Sequence, residues 1–351
     1  PGMSDGFYLA WAFVTYVVWG TLYSTVNIPY GSMASVMTAD PVERTTLSTW
    51  RNMGAALAGM AINVLGPMIV FVDNKINADR MFMTACIFGV LAIACYIGCY
   101  KLSTERIAVP EKEVEKGAFL RSVKSLLTNK PFLWVLAASL LAMTNQFIVQ
   151  AVNTYLFKDY FANAGALSII GLVQTLSMFL VVPLVKPLVA KFGKKEISVV
   201  GMTIASIIYI VMYFLKFTTT TPFIVLAALA YMAMCLYNIV TWAFITDVID
   251  YHEYLTSLRE DATVYSIISM SRKVGQAVAG GIGGVAIAAV GYDATVGTQS
   301  QDVLDGIYML GTLVPGIFYA IIAVVLFIYP LSKQKTIQLG KDLAARRNAN
   351  Q

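Results

Sequence analysis

The segment Trp50–Gly59 reads WRNMGAALAG, and the segment Ser271–Gly280 reads SRKVGQAVAG. Both carry an arginine three positions before the pattern G-x-A-x-A-G, and the two align without a gap. Small residues at this density let helix backbones approach closely within a bilayer. A small-residue stripe alone is explained by helix packing, but its recurrence with the arginine predicts an internal repeat of a membrane protein.

The composition supports a membrane location. Among 351 residues, 58% are hydrophobic and 13% are charged, and the mean hydropathy is +0.69. A soluble domain carries about 25% charged residues, so a soluble enzyme is not expected. The sequence contains no nucleotide-binding loop, zinc-type Cys/His spacing or nucleophile motif, and its net charge of +5 is divided among loops. We therefore expect no enzyme, no metal site, no cofactor and no nucleic-acid partner.

Apolar runs indicate the architecture. A membrane-spanning helix needs about 20 mostly apolar residues, and the chain contains about nine such runs. They are Gly6–Ser32, Met53–Val72, Met81–Tyr100, Phe132–Phe157, Ala166–Ala190, Ile197–Phe217, Pro222–Asp247, Ala262–Val290 and Gly306–Leu331. The predicted fold class is all-α, a polytopic membrane helix bundle.

The longest polar interval divides these runs into two blocks. We interpret residues 101–130, which contain the run EKEVEK, as a central cytoplasmic linker. Residues 1–100 and 131–331 then form two helical bundles, and residues 332–351 form a tail. Lys and Arg concentrate in the linker, the tail and the loops on the same side, which predicts a cytoplasmic C-terminus. We expect a multi-pass protein of the plasma (inner) membrane.

The repeat also predicts the size of the complete bundle. Ser271–Gly280 opens the fifth span of the second block, whereas Trp50–Gly59 opens the second span of the first block. If the two places are equivalent, this chain lacks the first three helices and retains about nine of twelve. Residues 1–100 would then hold helices 4–6, and residues 131–331 would hold helices 7–12.

Cations near helix starts are candidate ligand contacts, because charges inside a bilayer are costly. Arg51 can donate a planar fork of hydrogen bonds to sugar hydroxyls or a carboxylate. Its alternative role is an anchor at the membrane surface. Lys273 lies slightly deeper in its helix and is the second candidate. Arg272 projects about 100° away from Lys273, and we expect Arg272 to be the anchor.

Polar residues in the first span suit a hydroxylated ligand. Asn27 can donate and accept hydrogen bonds, and Tyr23 lies one turn above it. Pro29 can open local carbonyl groups where a helix lines a cavity. The alternative is a simple kink with a buried hydrogen bond between helices.

Two later spans carry further candidates. Gln150 and Asn153 share one helix face with Gln146, which fits a path for an uncharged polar ligand. Hydrogen bonding between helices is the alternative. Trp242 is a candidate for stacking on a sugar ring, with ordinary packing as the alternative.

The stretch TDVIDYHEYLTSLRED is expected at the cytoplasmic membrane face. Its charged residues suggest an ion-pair latch of the closed state, and a solvated loop is the alternative. The candidate gate residues are Asp247, Asp250, Glu253 and Arg259. We expect His252 to be exposed in this loop.

Two stretches resemble one transporter family: VNIPYGSMASVMTADPVERTTLSTWR (Val26–Arg51) and DVIDYHEYLTSLREDATVYSIISMSRKVGQA (Asp247–Ala277). They are similar to the glycoside–pentoside–hexuronide:cation symporters of the major facilitator superfamily. The resemblance implies twelve helices and coupling to Na⁺ or H⁺. It also implies that Arg51 binds sugar and that Lys273 couples ion to sugar. Asn27 stands where the melibiose branch has an aspartate, which places Na⁺ coupling in question.

These features together predict a secondary active carbohydrate transporter that works by alternating access. Expected partners are a sugar or glycoside, a coupling cation and the lipid bilayer, and we expect a bacterial monomer. Two alternatives remain. One is a truncated, non-transporting remnant or sensor, and the other is a major-facilitator carrier of another amphipathic solute.

Overall fold

The computed structural model describes residues 4–37, 47, 50, 51, 53–59, 61, 62, 69, 71, 72, 75, 76, 78–104, 106, 124–163, 165–257, 261–293, 296 and 298–349. Helices of this part are α1 (Asp5–Met37), α2 (Ala78–Leu102), α3 (Lys130–Tyr155), α4 (Ala166–Phe192), α5 (Lys194–Leu215), α6 (Thr220–Thr256), α7 (Asp261–Ala289), α8 (Gln301–Ile328) and α9 (Lys333–Ala349). A π-helical turn, Leu156–Tyr160, extends α3. Strands β1 (Phe71–Val72) and β2 (Lys75–Ile76) pair antiparallel. The all-α prediction is confirmed.

Seven helical segments of the described part are long and apolar enough to cross a membrane. They are Gly6–Asn27, Ala78–Leu102, Lys130–Tyr160, Ala166–Phe192, Lys194–Leu215, Thr220–Thr256 and Gln301–Ile328. Most of the predicted span Met53–Val72 lies outside the described residues. The predicted span Ala262–Val290 is helical as α7 but is not among the seven. We attribute this difference to Arg272, Lys273 and the small residues of α7, which lower its hydropathy.

Two compact units divide the chain, Pro1–Glu113 and Val114–Gln351. The first contains α1, α2 and the two short strands. Within α1, hydroxyl groups donate to carbonyl oxygens one turn earlier, as Thr21 does to Val17 at 2.9 Å and Ser24 to Gly20 at 2.8 Å. These bonds satisfy polar groups that would otherwise be costly in hydrocarbon.

The second unit is a bundle of helices α3 to α8. Helix α5 packs against α6 and α8, α3 packs against α7 and α8, and α4 packs against α6. Buried side chains form two apolar clusters, one around Phe132 and Phe244 and the other around Phe157 and Phe223. Because both clusters draw on α3, α5, α6, α7 and α8, they hold the helices together along much of their length.

Small residues allow the closest helix contacts in this unit. A Cβ atom on Gly201 of α5 would clash with the carbonyl oxygen of Ala233 in α6. A Cβ atom on Gly275 of α7 would lie 3.1 Å from the carbonyl oxygen of Leu140 in α3. Ala279, one turn further along α7, is completely buried. The segment Ser271–Gly280 therefore serves helix packing in this unit.

The end of α6 differs from the sequence-based expectation. A loop was expected after Asp247, but α6 continues to Thr256. Val248, Ile249 and His252 are at most 2% exposed, and their spacing places them on one face of a helix. The helix continues because no Pro or Gly interrupts the stretch and its apolar face is buried. The prediction that His252 is exposed is wrong.

Candidate functional site

A group of aromatic rings and one cation lies between α6 and α7. The rings of Trp242 and Tyr265 are stacked, with centroids 5.8 Å apart and an interplanar angle of 18°. The guanidinium carbon of Arg272 lies 5.6 Å from the centroid of Trp242. We call these three residues, Trp242, Tyr265 and Arg272, the aromatic–guanidinium cluster.

Helical spacing explains how the cluster forms. Tyr265 and Arg272 are seven positions apart in α7, which brings both to the same helix face after about two turns. Trp242 of α6 packs against that face. Tyr265 is 38% exposed, so part of this aromatic stack is open to a ligand. An aromatic face beside a guanidinium suits the apolar face and the polar edge of a sugar.

The adjacent cations of α7 have different environments. Arg272 is half-buried against Trp242, whereas the side chain of Lys273 is exposed. This arrangement differs from the expectation that Arg272 is the anchor at the membrane surface. Sequence spacing correctly separates the two side chains around the helix, but only the packing of α6 on α7 shows which of them meets an aromatic ring.

The amide residues of α3 differ in their burial. Gln146 and Gln150 are exposed, whereas Asn153 is 8% exposed and therefore buried. Asn145 is 1% exposed, and neither atom of its amide makes a hydrogen bond of good geometry. In the sequence, Asn145 stands out as a polar residue within a largely apolar helix.

The candidate ligand residues of the first unit lie in helical segments. Asn27 and Tyr23 are exposed on α1, and Tyr23 stacks on Trp19 with ring centroids 5.6 Å apart. Pro29 lies inside α1. Arg51 is helical and half-buried.

A buried ion pair lies at the predicted gate. Both carboxylate oxygens of Asp247 lie 2.6 Å from Nζ of Lys194. Lys194 also donates to the carbonyl oxygen of Ala243 at 3.3 Å. The pair joins the start of α5 to α6 within the second unit. Asp250 and Glu253 are half-buried on α6, and Arg259 lies outside the described residues.

Sequence reasoning missed Lys194 as the partner of Asp247. The available signal was the run KFGKKE, which separates two apolar spans. Gly193 has a φ of 105°, a left-handed conformation that favours glycine and permits the abrupt turn from α4 to α5. That turn places Lys194 at the first position of α5, facing α6.

Other basic residues also form hydrogen bonds between helices of the second unit. Lys195 donates to the carbonyl oxygen of Tyr329 at 2.7 Å, and Lys333 donates to that of Ala190 at 2.6 Å. These lysines satisfy carbonyl groups at the ends of α8 and α4, where helices leave acceptors unpaired. Helix α9 packs on α6, where Arg346 donates to the carbonyl oxygen of Tyr254 at 2.9 Å. The predicted tail is thus a helix docked on the bundle.

Comparison with known proteins identifies a transporter family. Residues 1–333 match the family described as MFS/sugar transport protein. The chain is 31% identical over 346 residues to the symporter YjmB of Bacillus subtilis (strain 168), covering 98% of this chain and 74% of that protein.

Two further relatives carry transport names. Identity is 28% over 350 residues to the glucuronide carrier protein homolog of Escherichia coli (strain K12), covering 99% of this chain and 76% of that protein. Identity is 28% over 338 residues to the isoprimeverose transporter of Lactiplantibacillus pentosus, covering 95% and 70% respectively. These matches confirm a transport protein and exclude an enzyme. The chain belongs to the MFS/sugar transport family, within the group that resembles the glycoside–pentoside–hexuronide:cation symporters.

Proposed function

We propose that this protein is a secondary active carbohydrate transporter that carries a glycoside, pentoside or hexuronide together with Na⁺ or H⁺. The match of residues 1–333 to the sugar transport family carries this proposal. Relatives named for a glucuronide and for isoprimeverose support a glycosidic substrate. We further propose that it works by alternating access, the mechanism in which helical repeats of a transporter move around a substrate held near the middle of the membrane.

The residues that the sequence predicts as sugar ligands are proposed to have that role. Arg51 would hold hydroxyl groups or a carboxylate, and the exposed Asn27 and Tyr23 of α1 would add hydrogen bonds. Gln150 and Asn153 of α3 would contribute amide groups from the second unit. These donors and acceptors match the dense hydroxyl pattern of a sugar.

The second unit adds an aromatic surface and a coupling cation to this proposed site. Trp242 supports the exposed ring of Tyr265, against which the apolar face of a sugar could pack. Lys273, exposed beside the aromatic–guanidinium cluster, is proposed to couple the ion to the sugar. A positively charged amine can do so if bound cation and substrate change its electrostatic environment.

The charged end of α6 is proposed to act as the gate. Asp247 is already paired with Lys194 within its own unit, so this pair would keep α5 and α6 together while the unit moves. Asp250, Glu253 and Arg259 would then form the contacts that open and close with the transport cycle. This division of roles follows from the burial of Asp247 and the partial exposure of Asp250 and Glu253.

Reconstituted proteoliposomes test the proposed function. The 351-residue chain is expected to show saturable uptake of a labelled glycoside that depends on an imposed Na⁺ or H⁺ gradient. Collapse of that gradient with an ionophore is expected to stop accumulation. A panel of unlabelled glycosides, pentosides and hexuronides then ranks the substrates by competition.

The same measurements separate the alternatives. Gradient-driven uptake of an amphipathic solute that no sugar inhibits would indicate a carrier of another class. Sugar binding without any uptake would indicate a sensor. Uptake that only equalises the concentrations, whatever the ion gradient, would contradict cation coupling.

A further inference from the structure

The guanidinium of Arg272 in the second unit has no described oxygen acceptor. It lies well inside α7 and is half-buried. Among the residues that the structure describes, no carboxylate lies within ion-pair distance of it, and none accepts a hydrogen bond from it. Its described partner is the ring of Trp242.

Those aromatic contacts position the guanidinium without using its donors. Trp242 lies 5.6 Å from the guanidinium carbon, and Tyr265 stacks on Trp242 from α7 itself. A cation–π contact attracts the charge of the guanidinium to the ring and supplies no oxygen acceptor for its five N–H donors. The cluster therefore fixes Arg272 in place and leaves its hydrogen-bonding capacity available.

An uncompensated cation in this location has an energetic consequence. A charge within a membrane bundle is costly unless an opposite charge or polar groups surround it. A cation–π contact recovers only part of that cost. An anionic ligand would recover more of it, because carboxylate and sulfonate oxygens match the planar fork of arginine.

We propose that Arg272 is a specificity-determining residue that selects carbohydrates carrying an acidic group, such as a hexuronide, over their neutral counterparts. The acidic group binds the N–H edge of Arg272. Trp242 is a positioning residue that holds the guanidinium, and Tyr265 presents its exposed face to the sugar ring. This inference rests on the proposed function, because it specifies the substrate class of the same site.

A matched pair of ligands tests the inference. Methyl β-D-glucuronide and methyl β-D-glucoside differ only by an acid or an alcohol at carbon 6. In proteoliposomes containing the full chain, competition is expected to show tighter binding of the glucuronide. Arg272→Gln is expected to weaken glucuronide binding by about 10- to 100-fold, the usual effect of losing a charged hydrogen-bond partner. Binding of the glucoside is expected to change by no more than about twofold, because it makes no charged contact.

Two further variants guard against nonspecific effects. Arg272→Lys keeps the charge but loses the planar fork, so it is expected to retain an intermediate preference for the acid. Lys158→Gln removes a positive charge from an exposed position of the same unit, where the Lys158 side chain is 63% exposed. It is expected to leave both ligands unaffected. Glucoside uptake reports whether each variant is folded.

A second readout distinguishes failure of this inference from failure of the transport proposal. In detergent, glucuronide is expected to raise the Tm of the unsubstituted protein and of Lys158→Gln, but not that of Arg272→Gln. A Tm shift of this pattern without uptake would overturn transport and leave the role of Arg272 intact. The role of Arg272 would be overturned if the unsubstituted protein bound the two ligands with equal affinity. It would also be overturned if Arg272→Gln weakened the binding of both ligands equally.

Discussion

The buried pair between Lys194 and Asp247 predicts an asymmetric response to substitution. The Asp247 side chain is 7% exposed and the Lys194 side chain is 21% exposed. Lys194→Met strands the more buried charge, and removing one partner of a buried pair costs about 3–5 kcal/mol. Asp247→Asn leaves a lysine that is nearer to solvent and still donates to the Ala243 carbonyl. Its expected cost is about 1.5–3 kcal/mol, typical of a lost hydrogen bond to a charged group.

A double-mutant cycle measures this asymmetry. In a unit of this size, 1 kcal/mol corresponds to about 2–4 °C in Tm. Lys194→Met should thus lower the apparent Tm in detergent by about 6–20 °C, and Asp247→Asn by about 3–12 °C. The double variant should be more stable than Lys194→Met alone, because it contains no stranded charge. Losses that simply add in the double variant would refute the reasoning.

Three further substitutions have expected outcomes. Arg51→Ala should abolish accumulation of labelled sugar in energised vesicles while expression persists, because it removes the proposed fork of donors. Gly201→Ala should lower the stability of the second unit by about 1–3 kcal/mol, measured by thermal unfolding, because the new methyl group meets the Ala233 carbonyl. Arg346→Ala should release α9 and increase cleavage of the C-terminal segment in limited proteolysis, because it removes the contacts with Tyr254.

Each of these has a matched control. Arg106→Ala removes an exposed cation that follows α2 in the sequence and should leave sugar uptake unchanged. Gly280→Ala adds a methyl group where no atom lies within 4 Å and should not destabilise the protein. Lys341→Ala removes an exposed cation from α9 and should not alter proteolysis. Unchanged uptake in Arg51→Ala, equal stability of the two glycine variants, or equal cleavage of the two α9 variants would contradict the respective argument.

The long apolar runs were sufficient to predict the seven described helices that are long and apolar enough to cross a membrane. The run Phe132–Phe157 corresponds to α3, and Ala166–Ala190 corresponds to α4. Hydropathy and length report these elements because hydrocarbon requires an apolar, internally hydrogen-bonded segment. The transporter family was likewise evident from local stretches such as Asp247–Ala277.

Other features depend on tertiary contacts that no local pattern reports. The polar residues after Asp247 indicated a loop. Because Val248 and His252 are buried, α6 instead continues to Thr256. The pairing of Lys194 with Asp247 and the contact of Arg272 with Trp242 each join different helices. Their geometry depends on how α5, α6 and α7 pack, which hydrophobic periodicity does not specify.

The docking of α9 couples its position to that of two helices of the second unit. Lys333 ties the start of α9 to the end of α4, and Arg346 ties its last turns to α6. Any tilt of those two helices would therefore carry α9 with it. Gly340, midway along α9, has no atom within 4 Å of the position that a Cβ would occupy. A fluorescent label attached there would report the orientation of the unit and would leave the residues proposed to bind the sugar unmodified.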